Sequence, residues 1–85
     1  MELQLADKFH LVCDAFDRPI DFGSLTSAIN FLNSWNQPNI SMMLFKNGSD
    51  KAFVVRYTDN NEWVISSVGF NSVEVMVFHV LLTGG

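Results

Sequence analysis

Four clusters of turn-forming residues cut this chain into short apolar segments, and their spacing limits what it can fold into. Proline fixes its own backbone φ angle, while glycine and asparagine accept the left-handed conformation, so such clusters end helices and strands. They lie at residues 17–19, 36–39, 47–50 and 59–61. Because 85 residues leave room for only one domain, we expect a single domain, residues 1–85, built of short elements.

The segment from Ser24 to Trp35 has the apolar spacing of a helix. Its apolar residues recur at intervals of three and four: Leu25, Ala28, Ile29, Leu32 and Trp35. Ser24 suits the N-cap position, because its hydroxyl can accept a hydrogen bond from a free N–H of the first turn. Asn36 and Pro38 predict where the helix ends.

The remaining apolar segments have the pattern of short strands. Phe9, Leu11 and Cys13 would share one strand face, and Ile20 with Phe22 would pair back as a hairpin. Three further strands are predicted at residues 40–46, 52–58 and 63–66, with an Asn-Gly turn between the first two. The pattern predicts a two-layer α+β fold, with an antiparallel sheet of four to five strands and one main helix on one face.

The last segment, residues 71–85, carries signals for both a strand and a helix. Four valines within residues 73–80 favour a strand, and apolar residues on both of its faces would make it central in the sheet. Asn71 followed by Glu74 resembles a capping box, and Gly84 suits a helix end. A helix apolar nearly all round is hard to bury in so small a domain, so we favour the strand and keep a second helix at the C-terminus as the alternative.

Composition and charge narrow the classes of partner. The chain is 48% hydrophobic, with eight Phe and two Trp, whereas a domain of this size buries only about 60–65% of its unfolded surface. Either the core is rich in Phe or some apolar surface is left for a partner. The net charge is −4, and the five basic residues are scattered. Nucleic-acid binding needs clustered Lys and Arg, so the small number and scattered positions of the basic residues argue against it.

The start of the chain and its cysteine count predict a cytoplasmic protein. Cys13 is the only cysteine, so no disulfide can form within the chain. The first residues lack the basic and apolar regions of a signal peptide, and no apolar run is long enough to span a bilayer. We therefore expect no membrane association.

Two groups of residues could carry chemistry. His10 and Cys13 could form a nucleophile–base pair or ligate zinc, but three residues apart on a strand they would lie on opposite faces. Asp14, Asp17 and Asp21 could do acid–base work or hold a cation, but their spacing matches no calcium loop and suits a turn. A small enzyme using Cys13 or these aspartates is one alternative; otherwise we expect no catalytic residue, metal or cofactor.

The C-terminal Gly84-Gly85 suggests a second alternative. The segment VMVFHVLLTGG, residues 75–85, resembles the ends of β-grasp sulfur carriers and ubiquitin-like modifiers, where a last strand delivers a Gly-Gly tail. The resemblance implies that the tail is adenylated and converted to a thioester or thiocarboxylate. A hairpin followed by a helix at the start of the chain agrees with that fold. The long meander of residues 40–69 departs from the small sulfur carriers.

The interpretation we favour is a non-catalytic, acidic module that binds and modulates a larger protein. It resembles in type the accessory and inhibitor proteins that phages and mobile elements carry in bacteria. The acidic turn could meet a basic patch on the partner. The residues expected to contact the partner are Asp14, Phe16, Asp17, Asp21 and Trp63. A homodimer through the sheet edges or the apolar C-terminal segment is a further expectation.

Overall fold

The computed structural model describes residues 3–84 and contains seven elements. They are β1 (Phe9–Val12), β2 (Ile20–Phe22), α1 (Leu25–Ser34), β3 (Ser41–Lys46), β4 (Ala52–Tyr57), β5 (Trp63–Val68) and α2 (Ser72–Thr83). The strands form one sheet in the order β2-β1-β3-β4-β5, and every neighbouring pair is antiparallel. The predicted α+β class is confirmed, with five strands in the sheet, the main predicted helix, and the alternative second helix at the C-terminus.

Both helices pack on the same face of the sheet, called here the inner face. Side chains alternate along each strand, so that Leu11, Leu44 and Phe53 lie side by side on neighbouring strands. The rest of the buried inner face comes from Phe9, Met42 and Val55. Burial of these apolar side chains against the helices is the main force holding the two layers together.

Helix α1 forms where the apolar spacing predicts it. Ser24 is the N-cap, and its Oγ accepts a hydrogen bond from the backbone N–H of Ser27 at 3.2 Å. The helix buries its predicted apolar side against the inner face: Leu25, Ala28, Ile29 and Leu32. Its C-cap is Trp35, directly before the Asn-Gln-Pro-Asn turn.

The strand predicted near the C-terminus is wrong, because residues 72–83 form helix α2. Helix signals at both ends of the segment prevail over the β propensity of its valines. Asn71 Oδ1 accepts from the N–H of Glu74 at 2.8 Å, and Glu74 Oε1 accepts from the N–H of Asn71 at 3.2 Å. Gly84 ends the helix in the left-handed conformation, at φ 79°.

A stack of three phenylalanine rings joins α2 to the sheet. The ring of Phe53, on β4, lies 4.1 Å from Phe70 on one side and 4.1 Å from Phe78 of α2 on the other. All three residues are buried. The apolar excess of α2 is accommodated because Phe78 and Leu82 face the core, whereas Val73, Met76 and Val80 remain exposed. Neither helix in the described part of the chain is long and apolar enough to cross a membrane.

Candidate protein-binding surface

The sequence-predicted contact residues lie in two different environments. Asp14, Asp17 and Asp21 are exposed, the first two in the turn between β1 and β2 and the third on β2. Phe16 is half-buried, and its ring centroid lies 6.0 Å from that of Phe31 and 4.8 Å from that of Trp35. Much of the Phe16 ring is thus engaged within the chain, and its contact with a partner stays a prediction.

Trp63 is also half-buried. It lies on the inner face at the start of β5, with its ring centroid 4.9 Å from that of Tyr57 on β4. The structure does not bring Trp63 together with the acidic turn, because β5 and β2 are the two opposite edges of the sheet. The five predicted residues therefore do not form one surface.

The residues considered for catalysis or metal binding do not converge. Cys13 is buried in the core, where its Sγ accepts from the N–H of Ala15 at 3.4 Å. His10 lies on the opposite face, stacked on Phe45, with its Nδ1 2.6 Å from Asn47 Oδ1. Within residues 3–84, no three His, Cys, Asp or Glu side chains are arranged to hold a metal ion, and no pocket forms.

The C-terminal glycines have a different setting from the one the β-grasp resemblance implies. The segment before them is helix α2 rather than a last strand, and Gly84 is its C-cap. The N–H of Gly84 donates to the carbonyl of Val80 at 3.0 Å, so this glycine belongs to the helix end. Gly85 lies outside the described residues.

The other side of the sheet, called here the outer face, is covered by no helix of residues 3–84. Twelve residues alternate with those of the inner face and point outward. They are His10, Val12, Asp21, Ser41, Met43, Phe45, Ala52, Val54, Arg56, Val64, Ser66 and Val68. Seven of the twelve are apolar, although an antiparallel sheet with one face in water normally places polar residues there.

The apolar residues of the outer face are neighbours across the strands. Val12 pairs with Met43, which pairs with Val54, and this row crosses β1, β3 and β4. A second row joins Phe45 to Ala52 and Val68. Directly opposite side chains have Cβ atoms about 4.5–5.5 Å apart, so each row is a line of apolar neighbours, in which Ala52 is itself buried.

Acidic groups lie at the border of this surface, whereas the basic Arg56 lies on the face itself, between Ser41 and Val64. Asp21 is opposite His10 at the β2 edge, and the turn bearing Asp14 and Asp17 follows directly after Val12. No acidic residue occurs on β3, β4 or β5. The outer face is therefore a mostly apolar area that includes Arg56 on β4 and has an acidic border on the side of β1 and β2, called here the acidic rim (Asp14, Asp17 and Asp21).

A sequence signal for the outer face exists in β3 and β4. Strands that are solvated on one face alternate apolar and polar residues, whereas Met42 to Phe45 and Ala52 to Val55 are apolar without a break. The signal is ambiguous from sequence alone, because the same pattern occurs in strands covered on both faces. Only the placement of both helices on the inner face shows that this pattern leaves an apolar surface open.

A smaller apolar stripe lies on α2. Val73, Met76 and Val80 are spaced at three and four residues and are exposed. It consists of three side chains on one helix and has no charged residue of α2 beside it other than the buried Glu74. The outer face is the broader of the two surfaces, and only the outer face has the acidic rim beside it.

Comparison with protein-family models, with curated proteins and with solved structures finds no match for this chain. Function is therefore inferred from its surface.

Proposed function

We propose that this chain is a non-catalytic protein-interaction module that binds a larger protein through the outer face. The observation that carries the proposal is a mostly apolar sheet face that neither helix covers. Water contact with such a face is unfavourable, and a partner that covers it gains the free energy of apolar burial. An accessory or inhibitor protein of a phage or mobile element would act in this way, by binding.

The chemistry of the partner follows from the face and its border. Each outward residue occupies about 4.8 Å by 6.8 Å of sheet, so the twelve cover on the order of 400 Å². A stable interface uses roughly 800 Å² on each partner, so the contact extends beyond the face. The acidic rim adjoins it and suits Lys and Arg. The proposed partner therefore presents an apolar patch bordered by basic side chains.

A matched pair of charge substitutions tests which surface binds. Val12→Lys changes a 40% exposed residue of the outer face, and Met76→Lys makes the same change at a 65% exposed residue of α2. The wild type and both variants, tagged at the N-terminus so that the C-terminal glycines stay free, are used to capture proteins from the native host. We expect one stoichiometric partner that Met76→Lys retains and Val12→Lys loses.

The control is folding, measured for both variants by circular dichroism and thermal unfolding. A partner captured equally by Val12→Lys and the wild type would contradict the proposal, as would a wild type that captures no other protein. An adenylating enzyme together with a mass-shifted C-terminus would instead support the carrier alternative. With the partner purified, neutralising the acidic rim (Asp14→Asn, Asp17→Asn and Asp21→Asn together) should mainly slow association at low salt.

A further inference from the structure

The two edges of the sheet are built very differently. The β2 edge has only three residues, is preceded by Pro19 and carries Asp21 at its centre. Short length, proline and charge are the devices by which proteins prevent an edge strand from pairing with another chain. The β5 edge has six residues, Trp-Val-Ile-Ser-Ser-Val, and none of these devices. The contrast marks β5 as the edge that is free to pair.

The hydrogen-bond pattern shows which backbone groups face outward at this edge. In an antiparallel pair, residues alternate between those that bond the neighbouring strand and those that point away. The N–H of Thr58 donates to the carbonyl of Glu62 at 2.8 Å, which makes these two a hydrogen-bonded pair. Hydrogen-bonded pairs recur at every second residue, so the next such pair in the register is Arg56 and Val64. The backbone groups of the odd-numbered residues of β5 therefore point away from β4: Trp63, Ile65 and Ser67.

We propose that β5 pairs with β5 of a second copy of this chain, antiparallel and centred on Ile65. The three outward residues are evenly spaced about Ile65, so a two-fold axis there sets Ile65 opposite Ile65 and Trp63 opposite Ser67. Each opposed pair exchanges two hydrogen bonds, which gives six in all. The edge is thus self-complementary, as a two-fold interface requires. The result is a continuous ten-stranded sheet.

The distribution of charge at the β5 edge permits pairing with a second copy despite the net charge of −4. No residue of β5 is charged, and the nearest acidic residue in sequence is Glu62, directly before the strand. In the antiparallel register the two Glu62 residues lie six strand residues apart, about 20 Å. This exceeds the screening length of about 8–10 Å at physiological salt, so their repulsion is weak. This interface does not depend on the proposed function, since it uses the edge and not the outer face.

A proline substitution at Ser67 tests the proposed hydrogen bonds between the two β5 strands. Ser67→Pro removes an N–H that points away from β4, so the bonds that hold β5 in its own sheet remain. Ser67→Ala is the matched control, because both variants lose the bond from Ser67 Oγ to the carbonyl of Phe70. By analytical ultracentrifugation we expect the wild type and Ser67→Ala to dimerise. Ser67→Pro loses two of the six bonds and should dimerise about tenfold more weakly or worse.

A disulfide experiment tests the register itself. Val64 and Ser66 are exposed, and the proposed register sets Val64 of one chain opposite Ser66 of the other. Such a pair has Cα atoms about 4.5 Å apart, within the range of a disulfide. Under oxidation, a mixture of Val64→Cys and Ser66→Cys chains should form a covalent dimer that neither chain forms alone. The proposal would be overturned by a monomeric wild type or by equal dimerisation of Ser67→Pro and Ser67→Ala. Covalent dimers formed by either cysteine variant alone would also overturn it.

Discussion

The docking of α2 can be tested with two alanine substitutions on the same helix. Phe78 is buried in the three-ring stack, whereas Met76, two residues earlier, is 65% exposed. Two residues along a helix rotate a side chain by about 200°, but two residues along a strand return it to the same face. A large difference between Phe78→Ala and Met76→Ala is therefore specific to the helix, and a strand would make both costly or neither.

The magnitudes follow from burial. Truncating a fully buried Phe to Ala costs about 3–5 kcal/mol, the sum of lost burial and the cavity left behind. Truncating exposed Met76 should change stability by less than about 0.5 kcal/mol. A domain of this length has a total stability on the order of 4–13 kcal/mol. Phe78→Ala should therefore remove a large share of it and lower Tm by roughly 12–40 °C.

Urea unfolding followed by circular dichroism measures both changes. The midpoint of Met76→Ala should match that of the wild type, with the same slope. If Phe78→Ala is too unstable to purify, Phe78→Leu keeps most of the buried volume and should show a smaller loss in the same direction. Equal losses for Phe78→Ala and Met76→Ala would refute the docking of α2 through Phe78.

Two further substitutions test local features of the chain. Asn71→Ala removes the side chain that accepts from the N–H of Glu74, and should destabilise the protein by about 1 kcal/mol in urea unfolding. No loss would show that the capping box does not hold the start of α2. Gly69→Ala should cost more than about 1 kcal/mol, because Gly69 has φ +89° and an added Cβ would lie 2.9 Å from Lys51 Cγ. An unchanged midpoint there would mean that the turn after β5 adjusts without strain.

The sequence predicts most of this fold because most of its local signals agree with one another. In α1 the apolar spacing, the N-cap serine and the terminating proline all indicate the same helix. In α2 they conflict, since the valines favour a strand and the ends favour a helix. Propensity for β structure depends strongly on context, whereas a capping box satisfies two specific backbone donors. Asn71, Glu74 and Gly84 were therefore the more reliable signals.

The candidate surface was less predictable than the fold. The acidic rim is visible in the sequence as three closely spaced aspartates, and the structure exposes all three. The outer face is not visible in this way, because the same apolar strands would be ordinary core if the helices lay on both sides of the sheet. Phe16 shows that the sequence can also suggest an exposed contact residue that the structure half-buries. A sequence cannot show that a phenylalanine in an acidic turn has the rings of Phe31 and Trp35 within reach.

Pairing at the β5 edge would explain how an outer face smaller than a standard protein interface could bind a partner. One outer face supplies on the order of 400 Å², about half of a standard binding footprint. Pairing at β5 places two outer faces side by side on one continuous sheet, and Val64 lies on both the face and the edge strand. A dimer thus presents two mostly apolar faces whose combined area, polar residues included, is near the standard size. On this view Ser67→Pro should weaken both self-association and capture of the partner. Val12→Lys, three strands from β5, should weaken capture alone.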